Sequence, residues 1–133
     1  MTEPTIAGIH HVTLSVSDLD RTIEWYVRVL GFQEVRRITH DGLDKAMLRR
    51  DGVLVTFVCH GELGVPGPFN ERRNGLDHLS FAVTDRTALD AWVARLDEHQ
   101  VVHSPVVSGS TGDLVPFRDP DNIALEFYTL PSA

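Results

Sequence analysis

Three side chains have the right chemistry to hold a divalent metal ion: His11 in GIHHVTLSV, His78 in GLDHLSFAV and Glu126 in NIALEFYTL. Two imidazoles and one carboxylate are the donor set that grips a metal on one side and leaves the other side open to water and substrate. Both histidines stand in the same slot of one pattern: glycine, apolar, polar, histidine, apolar, hydroxyl, apolar, small, valine. Glu126 lies amid apolar residues, where a buried carboxylate without a partner is costly. Each residue also has a plainer reading. A strand histidine is commonly a hydrogen-bonded core residue, and Glu126 could face solvent from a half-exposed strand. Their matching strand faces make the metal site the preferred reading. His10 falls on the opposite face from His11 and reads as structural or surface.

The elements that would position these residues come as a repeat. His11 and His78 are 67 residues apart, and the same offset pairs Gly8 with Gly75, Asp18 with Asp85, Trp25 with Trp92 and Arg28 with Arg95. Two copies at this spacing describe a duplicated supersecondary module rather than a solenoid. Each copy opens on a strictly alternating strand. Val12, Leu14 and Val16 oppose His11, Thr13 and Ser15; Leu79, Phe81 and Val83 oppose His78, Ser80 and Ala82. A helix follows each strand. Ser17 or Asp18 caps the first, with Leu19, Ile23, Tyr26 and Leu30 as its stripe and Gly31 at its end. Thr84 or Asp85 caps the second, with Leu89, Trp92, Val93 and Leu96. Three further strands are predicted in each copy, near 32–40, 44–50 and 53–59, and near 101–107, 113–118 and 123–129. Residues 61–75 are rich in glycine and proline and read as a linker. The expected fold is therefore α+β, with module one at about 6–60 and module two at about 76–130 in a single domain. Two sheets whose His, Thr and Ser faces oppose each other would enclose a polar-lined cavity.

The chain has 133 residues and a formal charge of −7, from 12 basic and 19 acidic residues. That balance argues against nucleic acid or an anionic membrane as the main partner. No apolar run approaches a membrane span. MTEPTIAG lacks the apolar core of a secretion signal. Cys59 is the only cysteine, so no internal disulfide is possible and a cytoplasmic setting is expected. Arg36-Arg37, Arg49-Arg50 and Arg72-Arg73 read as solvated surface.

The segments HHVTLSVSDLDRTIEWYVRVLGF, GLDHLSFAV and RDPDNIALEF resemble the signatures of the vicinal oxygen chelate superfamily, which unites glyoxalases, bleomycin resistance proteins and dioxygenases. The resemblance implies paired βαβββ modules, an incomplete barrel around a cavity and a homodimer. It also implies that His11, His78 and Glu126 match three metal-ligand positions, the ion being Fe, Mn, Zn or Ni. It leaves open whether the modules that share a cavity belong to one chain or to two. Glyoxalase I-like members carry a fourth, carboxylate ligand where this chain has Thr56, which argues against lactoylglutathione lyase activity. Thr13 and SGSTGD at 108–113 are similar to features of fosfomycin-modifying transferases. Val106 and Pro116, however, stand where that branch has a lysine and a tyrosine. For a dioxygenase, Tyr128 and His60 are the candidates for acid or base. Thr13, Ser15, Leu54, Thr56, Ser80, Val115 and Phe117 are the candidates for shaping the substrate site. The expected function is a small metal-dependent dioxygenase or lyase acting on a small molecule chelated through adjacent oxygens. The alternative is a metal-free protein that sequesters a drug, as bleomycin resistance proteins do.

Overall fold

The alternating run after Gly8 becomes strand β1 (Val12–Ser15), and helix α1 (Leu19–Arg28) follows it in the computed structural model, which describes residues 2–131. Asp18 is the cap: its extended backbone leaves the helix, and its carboxylate accepts the Arg21 N–H at 3.0 Å. Leu19, Ile23, Tyr26 and Leu30 are all buried, as their spacing predicts. Gly31, at φ +72°, lets the chain turn back so that the Phe32 N–H reaches the Tyr26 carbonyl at 3.1 Å. Strands β2 (Gln33–His40), β3 (Leu43–Arg50) and β4 (Val53–Cys59) complete the module. The sheet order is β1-β4-β3-β2, with β1 parallel to β4 and the other pairs antiparallel.

One face of this sheet meets α1. Leu14, Val16, Ala46, Leu48, Val55 and Phe57 are buried there, and Tyr26 packs on Phe57 with ring centres 4.5 Å apart. Each large side chain so covered contributes about 1.5–3 kcal/mol. Arg50, expected at the surface, donates to the Leu30 carbonyl at 2.7 Å and satisfies the helix end. A bulge interrupts β2 between Glu34 and Arg36. Before it, Glu34 opposes the buried Leu48; after it, Arg36 opposes Met47. The extra residue switches faces, so Arg36 and Ile38 join the sheet face away from the helix.

The second unit repeats the plan. It comprises β5 (Leu79–Val83), α2 (Arg86–Glu98), β6 (Val107–Ser108), β7 (Asp113–Arg118) and β8 (Ala124–Thr129), in the order β5-β8-β7-β6. Asp85 caps α2 by accepting the Ala88 N–H at 2.9 Å. Leu89 and Leu96 are fully buried, and Trp92 stacks on Phe127 with ring centres 4.4 Å apart. The α+β class and both βαβββ modules are as expected, and neither sheet closes into a barrel.

Two expectations need correction. The strand foreseen near 101–107 shrinks to the short β6 and an isolated bridge from His103 to Phe117. Pro105 has no N–H to give to a ladder. His103 instead sends one ring nitrogen to the Ser104 carbonyl at 2.8 Å and the other to Asp97 at 2.7 Å. The 61–75 linker is not a free loop either. Gly61–Leu63 forms one 3₁₀ turn, the units divide after Val65, and the rest is tied to the β7–β8 turn. There the Phe69 N–H reaches the Asp121 carbonyl at 3.0 Å, and Asn122 Nδ2 donates to the Phe69 carbonyl at 3.1 Å. Arg118 grips both oxygens of Glu71 at 2.9 and 3.0 Å, which lowers that carboxyl to about 2.

Gly112 sits at φ +148°, where an added Cβ would lie 2.8 Å from Thr129 Oγ1 and 2.9 Å from Tyr128 Cε1. Gly112→Ala should cost about 1–3 kcal/mol in thermal unfolding. Gly52→Ala, in open space without positive φ, should leave the melting temperature unchanged. The His103 imidazole is raised above its ordinary 6.5, first by the Ser104 carbonyl, then by Asp97, with burial opposing. A group raised on folding stabilises below its unfolded value and loses that contribution as pH rises through the folded one. Asp97→Asn should therefore cost about 0.5–1 kcal/mol near pH 5.5 and almost nothing near pH 9, read by urea unfolding at each pH.

Candidate functional site

His78 is the residue before β5, and His11 is the residue before β1, so the repeat holds both at the mouth of equivalent strands. In the second unit β5 runs parallel to β8, with Ser80 opposite Glu126. His78, two residues before Ser80, shares that face. Its Nε2 lies 2.6 Å from Glu126 Oε1. The Glu126 side chain is only 11% exposed, while the imidazole is half-buried. The other ring nitrogen, Nδ1, is 2.8 Å from Asp77 Oδ1. The His78 pKa is raised: the Asp77 hydrogen bond contributes most, burial opposes it, and the charges of Glu126 and Asp77 add.

This donor set suits a divalent ion. Asp77, as a carboxylate, accepts a hydrogen bond from Nδ1, which points Nε2 toward Glu126. A carboxylate behind a histidine is the usual support of a metal-ligating imidazole. Among the described residues, neither unit by itself gathers three or more His, Cys, Asp or Glu side chains poised for a metal. The second unit supplies two donors, His78 and Glu126. His11 belongs to the first unit, where it is exposed and its Nδ1 lies 2.8 Å from His10 Nδ1.

In the first unit Thr13 opposes Thr56 across β1 and β4, and their hydroxyls are hydrogen-bonded. This is the row that holds Ser80 and Glu126 in the second unit, so Thr56 is the counterpart of Glu126 and offers no carboxylate. Ser15 Oγ lies 3.3 Å from His60 Nε2. Thr13, Ser15, Leu54, Thr56 and His60 thus share the face away from α1, as predicted. That face carries a cavity of about 320 Å³, lined by His11, Thr13, Thr56, His60, Met47, Ile38 and Val58, with Arg36 and Lys45.

Ser80 and Tyr128 share the face of Glu126, and the Tyr128 hydroxyl is hydrogen-bonded to Thr111 Oγ1 in the SGSTGD loop. Asp113 of that loop pairs with Arg86 at 3.1 Å. Val115 and Phe117 are not on this face. Both are buried, Val115 opposes Phe127, and Phe117 opposes Leu125 and stacks on Phe127. They belong to the core beneath α2, because the Asp119–Asn122 turn sets a register that puts Pro116 opposite Glu126. Asp77, Arg36 and Lys45 were missed from sequence. Asp77 adjoins His78, a usable signal; Arg36 was hidden by the bulge.

Residues 8–127 match the model of the Glyoxalase/Bleomycin resistance protein/Dioxygenase superfamily, and the chain belongs to that superfamily. Among solved structures it is similar to the glyoxylase/bleomycin resistance protein/dioxygenase domain from Frankia sp. EAN1pec, at 35% identity and a TM-score of 0.88, covering 97% of this chain and 96% of that one. It is 28% identical to the metallothiol transferase FosB of Staphylococcus epidermidis, over 93% of this chain and 84% of that protein. It is also 25% identical to the catechol-2,3-dioxygenase of Bacillus subtilis (strain 168), over 90% of this chain. The chain spans only 40% of that dioxygenase and 37% of a further relative from the same organism.

Proposed function

We propose that this chain is a divalent-metal-dependent enzyme acting on a small molecule that presents two adjacent oxygens. His11, His78 and Glu126 would hold the ion, His11 coming from the same chain or from a second copy in a homodimer. The ion, when bound, supplies Lewis acidity that favours negative charge on neighbouring substrate oxygens. The observation that carries the reading is the Asp77–His78–Glu126 chain of contacts, which orients one imidazole nitrogen onto a buried carboxylate. Asp77 fixes the His78 tautomer. Thr13 and Thr56 present hydroxyls toward the substrate side, and Ile38, Met47 and Val58 keep water away from it. Without a carboxylate at Thr56 the site lacks the second acid of a lactoylglutathione lyase, so ring cleavage or a thiol transfer of the kinds named for its relatives suits it better. Tyr128 and His60 remain candidates to move a proton, Tyr128 with its hydroxyl held by Thr111 and His60 beside Ser15. A cytoplasmic setting accords with the lone Cys59.

Metal analysis of the purified protein tests this. About one ion per site is expected, bound roughly 10–100-fold more weakly in Asp77→Asn and lost in His78→Ala and Glu126→Gln. Protein that holds no metal, or whose metal content ignores all three substitutions, overturns the proposal. Metal-free protein that instead binds an aromatic antibiotic tightly would establish the sequestration alternative.

A further inference from the structure

The cavity of the first unit has a charge opposite to that of the chain. The protein carries a formal charge of −7, yet no carboxylate lines this cavity. Its cations are Arg36 and Lys45, on neighbouring strands. Arg36 opposes Met47 and Ile38 opposes Lys45, so the two are diagonal neighbours on one face. At that separation like charges repel. Among the described residues neither side chain makes an ion pair or hydrogen bond, whereas Arg28, Arg37, Arg50, Arg86 and Arg118 each have a carboxylate partner. The contrast with Arg37 is sharp, since it lies next to Arg36. The β2 bulge sends Arg37 to the helix side, where it meets Asp20 at 2.6 Å, and Arg36 to the cavity. Asp44 likewise faces away and accepts from Thr39. The nearby acids Asp20, Glu34 and Asp44 are thus on the far side of the sheet, and two cations face an apolar floor of Ile38, Leu43, Met47 and Val58.

We infer that the small molecule seated on this face is an apolar body bearing an anionic group, a carboxylate or its equivalent, which Arg36 and Lys45 hold. The inference rests on reading this face as the substrate side of the metal site. It adds that the anion is a second handle, separate from the two adjacent oxygens. An anion between the two cations offsets their repulsion, and the apolar floor takes the remaining surface.

The sequence provides a direct reporter, because Lys45 is the only lysine. Reductive ¹³C-methylation keeps its charge and gives one side-chain NMR signal besides the N-terminus. The probes are 3,4-dihydroxybenzoate and its uncharged amide, titrated into metal-free and metal-loaded protein. The carboxylate should bind about tenfold more tightly than the amide and shift the Lys45 signal in both forms. Arg36→Gln with Lys45→Met, followed by calorimetry, should abolish the difference between the two probes. Equal binding of the two probes, no binding of either, or a preference that survives the double substitution overturns the inference. Metal content is measured separately through His78 and Glu126. Equal probe binding by metal-loaded protein therefore sinks the anion handle alone, and a carboxylate preference in protein that never takes metal sinks the metal reading alone.

Discussion

A carboxylate has been placed under a strand where water barely reaches it, and the second unit is organised around that fact. Glu126 is 8% exposed, and an ionised carboxylate so buried costs several kcal/mol unless positive charge lies beside it. His78 supplies that charge at 2.6 Å when it is protonated, and Asp77 behind it holds the imidazole in place. A proton between His78 and Glu126 and a divalent ion beside them answer the same electrostatic need. The residues around them follow from it. Ser80 and Pro116 flank Glu126 on the neighbouring strands, and the helix side of β8 is left to Leu125 and Phe127.

Duplication explains why one slot recurs and where the copies diverge. Each module starts with a short strand parallel to its last strand, so a residue just before β1 or β5 stands beside the start of β4 or β8. The histidine slot is filled in both copies. The facing slot holds Thr56 in one and Glu126 in the other. A threonine pair satisfies itself through the Thr13–Thr56 hydrogen bond and requires no countercharge. The carboxylate and its positive partner are confined to the second copy. The first copy offers an apolar floor rimmed by cations.

The linker has a part in positioning as well. Glu71 and Phe69 fasten it to the turn that carries Arg118 and Asn122. That turn sets the register of β7 on β8, and the register decides which residues stand beside Glu126. Asp119 reinforces it by accepting the Asp121 and Ile123 N–H groups at 2.9 Å. Exposed ion pairs of this kind contribute little stability singly. Here the pair works with two backbone contacts on one turn.

Much of this was legible in the amino-acid order alone. Strict alternation in β1, β5 and β8 put Glu126 and His78 on one face, and burial of Leu125 and Phe127 on the other bears that out. The Asp18 and Asp85 caps, the helix stripes and the Thr56–Glu126 correspondence were readable because local periodicity and the 67-residue repeat state them directly. Tertiary structure decided the rest, wherever register broke the period. A single extra residue in β2 moved Arg36 across the sheet, and alternation counted from Phe32 assigns it to the wrong side. Pro105 removed most of a predicted strand. Val115 and Phe117 went to the core because the face of β7 is inherited from its hydrogen-bonded partner, β8, and a pairing between strands is written in no single segment.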